Sequence, residues 1–259
     1  EPDYFRGTEL AASEEHTLVA RTGTELLGLG RAVIRPCWVS GAVARVGYLG
    51  ELRLAPGAQG QAALVRRGFA AFRERWRENP PQLWFTSIAE DTGRARRLLE
   101  RGLPGWPRYE FLTRFTTVVL PAGRLRAPSR AAATVGPVEV EKVAAFLLRE
   151  GSLDQLATVW TAAALRSLAP HGLAASDLYA VTERGRVIAA AGLWDQRSFR
   201  QTVIHGYAGW LGALRPLLNL TGRLGGWPAL PAPGAVLPQA FVSPLALTPD
   251  ATAQLPALL

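Results

Sequence analysis

The spacing of hydrophobic residues changes once in the first half of the chain, and the other predicted elements are placed around this change. Apolar and β-branched side chains dominate residues 46–54, which predicts a strand. The strand pattern stops at Pro56-Gly57, and apolar residues then recur at helical spacing from about Ala62. These helical positions are Leu64, Val65, Gly68, Phe69 and Phe72. The sequence therefore predicts a strand, a turn of small residues and a helix in direct succession.

The remaining apolar runs of the first half predict further strands and a second helix. Gly23 and the pair Ser40-Gly41 supply turns between strands, and Thr92 is a candidate helix N-cap. The predicted elements are strands at 17–20, 25–34 and 46–54, a helix from Ala62 to Pro80, a strand at 83–88, a helix at 93–101 and a strand at 109–120.

The second half repeats part of this pattern after a predicted linker at 121–137. The sequence at 180–189 aligns with 19–28, and the sequence at 241–249 aligns with 48–56. An insertion at about 210–233, with a helix at 210–223, separates the two matches. Further helices are predicted at 138–149 and 153–168, and strands at 178–181 and 186–193. We therefore predict an α/β chain of two domains, 1–122 and 135–259, with mixed sheets in tandem.

Composition limits the class of protein. The chain has 259 residues, of which 48% are hydrophobic and 19% charged, as in globular proteins. Its apolar runs are shorter than the roughly 20 residues of a membrane span, and we find no signal peptide. A single cysteine, Cys37, excludes an internal disulfide framework and is expected to be a buried small hydrophobe. We expect a cytoplasmic protein with no membrane partner.

Charge and histidine spacing narrow the possible ligands. The net charge is +8, which suits a polyanionic ligand such as a nucleotide coenzyme. Nucleic acid is not expected as a partner, because the arginines and aromatic residues do not interleave in any recognised binding motif. The histidines, His16, His171 and His205, lie far apart without metal-ligand spacing, so we expect no metal site.

The strand–turn–helix stretch carries the resemblance to a known family. In the GNAT acetyltransferase superfamily, a strand ending V-x-P leads into a loop Q/R-x-x-G-x-G/A and then a helix. Here Leu54-Ala55-Pro56 matches the strand end, and the residues 59–64 occupy the loop. Alanine stands at position 62 where glycine is usual, and leucine at position 64 where glycine or alanine is usual. The first half thus resembles a GNAT domain.

The resemblance implies how acetyl-CoA would be bound as a co-substrate. A helix start offers N–H groups without intrahelical partners and the positive end of the helix dipole, to which a diphosphate can bind. Backbone groups of the preceding strand would hydrogen-bond the pantetheine arm and polarise the thioester. The implied cofactor-binding residues are Leu52, Arg53, Leu54, Gln59, Gly60, Gln61, Ala62, Ala63 and Leu64.

Two side chains are candidates for catalysis. Glu51, in the predicted strand, is a candidate general base, and an ion pair with Arg53 is the alternative role. Relatives often carry a tyrosine acid in N-x-x-A-x-x-L-Y, but here Thr92 and Leu99 replace its Asn and Tyr. Tyr109 is the candidate substitute acid, and a buried strand tyrosine is the alternative.

The resemblance predicts an acetyl-CoA-dependent N-acetyltransferase that acts on a primary amine of an unidentified small-molecule or peptide acceptor. The alternative is a non-catalytic GNAT-like protein that binds CoA or a protein partner, and a homodimer is possible. The second half lacks glycine at 248–253 and carries Asp250 there, where its charge would repel phosphate. We expect that half to be a degenerate copy.

Overall fold

The computed structural model describes residues 13–58, 61–120, 133–224 and 228–254. These residues form two four-stranded sheets and five α-helices, which confirms the predicted α/β class. The described residues fall into two compact units. The first unit takes Ala12–Thr116 and Gln155–Thr158, and the second takes Thr117–Asp154 and Val159–Leu259. The domain bounds 1–122 and 135–259 stay predictions.

The first unit is built on a mixed sheet. Its strands are β1 (Glu14–Thr22), β2 (Glu25–Val39), β3 (Ala42–Leu54) and β4 (Leu83–Phe85), in the order β1-β2-β3-β4. The first three strands are antiparallel, and β4 pairs parallel with β3. Helices α1 (Ala62–Arg75) and α2 (Gly93–Leu99) follow β3 and β4. The parallel pair requires a crossover, which α1 provides.

Both faces of this sheet bury apolar side chains. Phe72 of α1 and Trp76, the residue that follows α1, pack with Ala32 and Ile34 on one face. The opposite face buries a second cluster, made of Cys37, Ala44 and Val46 with Leu83, Phe85 and Leu156. Cys37 is fully buried, as predicted, and this burial raises the pKa of its thiol.

The second unit is built on a sheet whose described strands are all antiparallel. They are β5 (Ala133–Pro137), β6 (Leu178–Glu183), β7 (Arg186–Trp194) and β8 (Phe241–Leu247), in chain order. Its helices are α3 (Val140–Gly151), α4 (Ala162–Ser167) and α5 (Trp210–Leu224). Its largest core cluster joins residues of α3, including Phe146, to Leu165, Leu168 and Phe199. No helix in the described ranges is long and apolar enough to cross a bilayer.

Three segments differ from their predicted structure. The predicted strand at 109–120 has no strand pairing, and its Phe115 and Val119 are 73% and 84% exposed. High β-propensity does not make a strand without a partner ladder. Part of the predicted helix at 153–168 is instead extended, and Trp38 of β2 donates its N–H to Ala157 O at 2.8 Å. Part of the predicted linker forms β5.

The two sheets share a register at the positions matched in the sequence. Gly28 pairs with Leu54, and Ala189 pairs with Leu247 at the matching positions of the second sheet. Each pair of strands then shifts register at a bulge, and each last strand leads into a 3-10 turn, Pro56–Ala58 or Pro249–Gln254. This parallel supports a tandem repeat, which stays a proposal.

We predict that Gly172→Ala destabilises the protein far more than Gly185→Ala. Both glycines have positive φ, +87° and +76°. A Cβ on Gly185 would meet open space, whereas one on Gly172 would lie 1.9 Å from Asp195 O. Gly185→Ala should therefore lower the free energy of unfolding by only about 1–2 kcal/mol, the strain of an alanine in the left-handed region. Gly172→Ala should lower it by at least about 1–3 kcal/mol more, because the added Cβ overpacks the site. Urea unfolding measures both, and equal losses would contradict the packing at Gly172.

Candidate active site

The backbone ladder between β3 and β4 ends early and leaves a long free edge on β3. Only three residue pairs join the two strands, the last between Tyr48 and Phe85, while β3 continues to Leu54. Beyond that pair, side-chain hydroxyls replace the ladder. Thr86 Oγ1 donates to Leu49 O at 2.6 Å, and the hydroxyls of Tyr48 and Ser87 lie 2.7 Å apart. The two strands therefore part at a point lined with hydroxyl groups.

A β-bulge lies on β3 just beyond this point. The register of β2 and β3 shifts between Leu29 and Arg31, so Glu51 and Leu52 together oppose Gly30. Glu51 has a φ of +53°, a left-handed value that few residues other than glycine adopt. The candidate base therefore lies at the centre of a bulge.

Glu51 forms the ion pair that was its alternative role. Its Oε2 lies 3.0 Å from Arg53 Nη2, and the side chains of Glu51 and Arg53 are 28% and 73% exposed. An exposed pair of this kind contributes little to stability and is easily exchanged for solvent. The ion pair and a role in proton transfer are therefore compatible.

Backbone groups of the last β3 residues point toward the free edge. Ala55 donates its N–H to Leu27 O at 2.9 Å, on the β2 side. Because backbone groups alternate along a strand, the N–H and C=O of Leu54 point away from β2, whereas Leu52 belongs to the bulge, where this alternation is interrupted. Leu54, one of the residues implied to bind the coenzyme, thus has backbone groups directed outward from the sheet.

Helix α1 begins at Ala62, as predicted, and its start carries no capping group. Gln61 occupies the N-cap position without a side-chain hydrogen bond, and the first turn contains no acidic residue. Ala62 and Ala63 are exposed, and their N–H groups have no partner within the helix. The positive end of the helix dipole is therefore accessible. Gln59 and Gly60 lie outside the described residues.

Leu64 is directed into the sheet side of α1. It is half-buried and lines an open groove of ≈ 590 Å³ between α1 and the sheet, together with Leu18, Leu52, Leu54 and Phe72. A large side chain at this position is therefore accommodated away from the exposed alanines at the helix start. The departure from the small residue usual in the family is compatible with an open helix terminus.

Tyr109 lies among aromatic rings and not on a strand. Its ring centroid is 6.4 Å from that of Phe69, in the middle of α1, and Phe69 also contacts Trp106. Burial raises the pKa of Tyr109 to about 12. The phenol is thus protonated at neutral pH but is a weak acid, so the structure favours a packing role.

The later helix offers no hydroxyl at the family's tyrosine position. Leu99, which stands there, is 8% exposed, in the last turn of α2. Thr92 is the N-cap residue of α2, but its Oγ1 donates to Ala89 O at 2.6 Å and does not cap the helix. Among the described residues, no group of three His, Cys, Asp or Glu side chains could hold a metal ion.

Sequence reasoning missed the hydroxyls of Tyr48, Thr86 and Ser87. A parallel pairing of β3 with β4 would have placed them together, but the register of a parallel pair depends on the crossover and is not visible in either strand alone. The only sequence signal is the change from the apolar run 83–85 to Thr86-Ser87.

The second sheet carries different residues at the matching positions. Pro244 stands where Glu51 does in the first sheet, and Asp250 follows the first residue of the 3-10 turn. Pro244 has no carboxylate, and the charge of Asp250 would repel a phosphate. The chemistry available in the first sheet is thus missing from the matching part of the second.

Comparisons with known proteins find similarity only at the level of structure. No family model matches the chain, and no curated protein matches it. A transcriptional regulator from Bacillus halodurans C-125 is 20% identical, over 39% of this chain and 66% of that one, with a TM-score of 0.31. The chain thus spans just under two thirds of that protein.

Solved acetyltransferases are also similar to part of the chain. AAC(6')-Iy, in complex with the bisubstrate analogue CoA-S-monomethyl-acetylneamine, is 14% identical over 40% of this chain and 70% of that one, with a TM-score of 0.32. Ribosomal-protein-alanine N-acetyltransferase from Brucella melitensis is 14% identical over 44% and 87%, with a TM-score of 0.29.

We predict that Tyr109 makes stability fall at high pH. The pKa of about 12 in the folded protein lies above the ordinary value of 10. The stabilisation is therefore fully present below pH 10 and is lost as the pH rises toward 12. Urea unfolding of Tyr109→Phe should show a smaller loss between pH 9 and pH 11 than the unsubstituted protein shows. Identical losses would mean that Tyr109 is not buried as described.

Proposed function

We propose that the first unit is an acetyl-CoA-dependent N-acetyltransferase that acetylates a primary amine. The observation that carries the proposal is that three structural features follow one another along one stretch of chain. These are the bulge at Glu51, the free edge of β3 up to Leu54, and the uncapped start of α1 at Ala62. Each feature supplies a different part of what a bound thioester needs.

The start of α1 would bind the diphosphate of the coenzyme. The first N–H groups of the helix and the positive end of its dipole attract an anion. The exposed alanines Ala62 and Ala63 leave room for close approach, and no carboxylate in the first turn competes. Arg66 and Arg67, both exposed in the next turn, add positive charge.

The free edge of β3 would bind the pantetheine arm as an added strand. The outward backbone groups of Leu54 can exchange hydrogen bonds with its amides, and Leu52 lies two residues before it at the bulge. A backbone N–H beside the bulge can donate to the thioester oxygen and stabilise the negative charge that develops there. Binding along this edge would hold the thioester near Glu51.

Acetyl transfer requires loss of a proton from the amine and gain of one by the departing sulfur. The amine nitrogen forms a bond with the carbonyl carbon, and the carbon–sulfur bond breaks. Glu51 would accept the proton of the amine, directly or through a water molecule. Arg53 would hold the Glu51 carboxylate at the bulge until the acceptor arrives.

Tyr48 would return a proton to the thiolate. Its hydroxyl lies at the point where β3 and β4 part, 2.7 Å from Ser87 Oγ. The Tyr48 hydroxyl is therefore nearer to the free edge of β3 than Tyr109 is, because Tyr109 packs on the middle of α1. Tyr48 is therefore our preferred candidate acid, in place of Tyr109.

Two observations keep a non-catalytic function as the alternative. Glu51 is engaged with Arg53, and Leu99 stands where the family has its tyrosine. A protein with these features could bind CoA without turnover. In either case we propose that the second unit is a degenerate repeat, because Pro244 and Asp250 replace the groups that the first unit would use.

We predict that Ala62→Asp weakens acetyl-CoA binding at least about tenfold, a loss of about 1.4 kcal/mol. The new carboxylate would interact with the free N–H groups and repel the diphosphate. Ala70→Asp, at an exposed position in the middle of α1, is the matched control. Thermal-shift titration with acetyl-CoA measures both variants. If the two variants bind equally well, the helix start is not the diphosphate site.

We predict that Glu51→Gln lowers kcat by about 100-fold or more, because general base catalysis typically contributes this much. Arg53→Gln removes the same ion pair and keeps the carboxylate, so it should retain most of the activity. Thiol release from acetyl-CoA with a panel of amines is the assay. A shift in melting temperature with acetyl-CoA but no thiol release with any amine would favour the non-catalytic alternative.

We predict that Tyr48→Phe lowers kcat while acetyl-CoA binding is unchanged, because the phenyl ring keeps its packing against Phe85 and only the hydroxyl is lost. Ser87→Ala tests whether the paired hydroxyl is needed as well. If Tyr109→Phe lowers kcat and Tyr48→Phe does not, the assignment of the acid is reversed.

A further inference from the structure

The open groove between α1 and the sheet of the first unit, which we call the α1 groove, has a volume of ≈ 590 Å³. Large apolar side chains form its walls, namely Leu18, Leu52, Leu54, Leu64 and Phe72. None of the described residues that line it carries a carboxylate, and its charged lining residues are Arg21 and Arg67. Mostly apolar clefts of about this volume are typical sites for small molecules.

The α1 groove reaches the bulge of β3. Gly30 of β2 lies opposite Glu51 and Leu52 across the β2–β3 pair, and it is one of the lining residues. Leu52, which is 48% exposed, lines the groove from the bulge itself. The groove is therefore next to the place where the proposed function puts the thioester carbonyl.

Two glycines leave space in the groove. A Cβ on Gly68, in the middle of α1, would have no heavy atom within 4 Å. A Cβ on Gly30 would meet only Phe72 Cε2 within that radius, at the ordinary contact distance of 3.7 Å. Neither glycine has a positive φ, and glycine inside a helix is less favourable than alanine. Packing and backbone geometry thus require neither glycine, and their consequence is free volume.

This volume is much larger than an acetyl group needs. A cavity of about 150 Å³ holds benzene, which has six carbons. The α1 groove is about four times as large, so it has room for an unbranched chain of about six to ten carbons even though one side is open to solvent. Its lining residues on α1 run from Gln61 to Phe72, and the part from Ala63 to Phe72 is about 14 Å long.

We propose that the α1 groove binds the acyl chain of the coenzyme thioester and selects unbranched chains of about six to ten carbons over acetyl. The inference rests on the proposed function and changes only the group that is carried. The amine nitrogen bonds to the carbonyl carbon and the carbon–sulfur bond breaks, as with acetyl. Glu51 accepts the proton of the amine, and the departing sulfur gains one. The chain leaves the carbonyl at Leu52 and lies between α1 and the sheet.

A segment of protein fits the α1 groove less well than an acyl chain. A helix is about 10–12 Å wide, so over 14 Å of length it would occupy roughly 1,100–1,600 Å³, about two to three times the volume of the groove. An extended peptide would place backbone amides against leucine and phenylalanine side chains, which offer them no hydrogen bonds. A hydrocarbon chain has no such groups to satisfy.

The test compares unbranched CoA esters with acyl chains of two, four, six, eight and ten carbons, using the full chain. Thermal shift measures binding, and thiol release with the panel of amines measures transfer. Each methylene that is removed from water strengthens binding by up to about fourfold. Octanoyl-CoA should therefore bind at least about tenfold more tightly than acetyl-CoA, and its kcat/KM should be higher by a similar factor.

Substitutions that fill the groove should remove this preference. Gly68→Leu places a large side chain in the open space and should lower the octanoyl-to-acetyl ratio, in binding and in kcat/KM, at least about tenfold. Ala70→Leu adds the same side chain at an exposed position of α1 that does not line the groove, and it should leave the ratio unchanged. Gly30→Val narrows the groove from the sheet and serves as a second variant. Circular dichroism of each variant shows whether the fold is retained.

Failure of the inference can be told apart from failure of the proposed function. Equal use of acetyl-CoA and octanoyl-CoA would overturn the inference and leave acetyl transfer in place. A preference for octanoyl-CoA that Gly68→Leu and Gly30→Val both leave unchanged would also overturn it, because the chain would then bind elsewhere. If octanoyl-CoA binds with the expected preference but no amine releases thiol, the groove is supported as the acyl site and transfer is contradicted. If no CoA ester binds, both are overturned.

Discussion

The early end of the β3–β4 ladder is the constraint on which the candidate site depends. A parallel strand pair normally satisfies its backbone groups along its whole length. Here pairing stops at Tyr48 and Phe85, and the bulge at Glu51 follows at once. The end of β3 therefore has backbone groups directed away from β2, and none of the described strands lies beside them. An extended ligand with amide groups is the natural partner of such an edge.

The local backbone geometry supports the same interpretation. The bulge adds one residue to β3, so Glu51 adopts a positive φ and the strand bends. The 3-10 turn Pro56–Ala58, with Ala58 buried, then redirects the chain into α1. A strand edge, a carboxylate and an open helix start are thus provided by one short stretch of chain. The second sheet has the same register but Pro244 in place of Glu51, which separates the shared fold from the chemistry of the first unit.

Much of this arrangement could be predicted from the sequence, because it depends on local signals. The start of α1 at Ala62 follows from the change of hydrophobic period after Pro56-Gly57, and the Glu51–Arg53 pair follows from their spacing on a strand. The strand predicted at 109–120 failed because strand formation depends on a distant partner that propensity does not reveal. The meeting of Tyr48 with Ser87 was missed for a similar reason, since it depends on the register of a parallel pair. The orientation of α5 could not be predicted either, because a surface helix normally buries its apolar face, whereas Leu214, Leu217 and Leu220 of α5 are exposed.

A crystal structure of the protein with bound CoA tests the central claim most directly. We predict that the diphosphate lies within hydrogen-bonding distance of the N–H groups of Ala62 and Ala63. The pantetheine arm should then run along the free edge of β3 between Leu52 and Leu54. The account is contradicted if the coenzyme binds elsewhere, or if the side chain of Gln61 or Leu64 occupies the helix start in its presence.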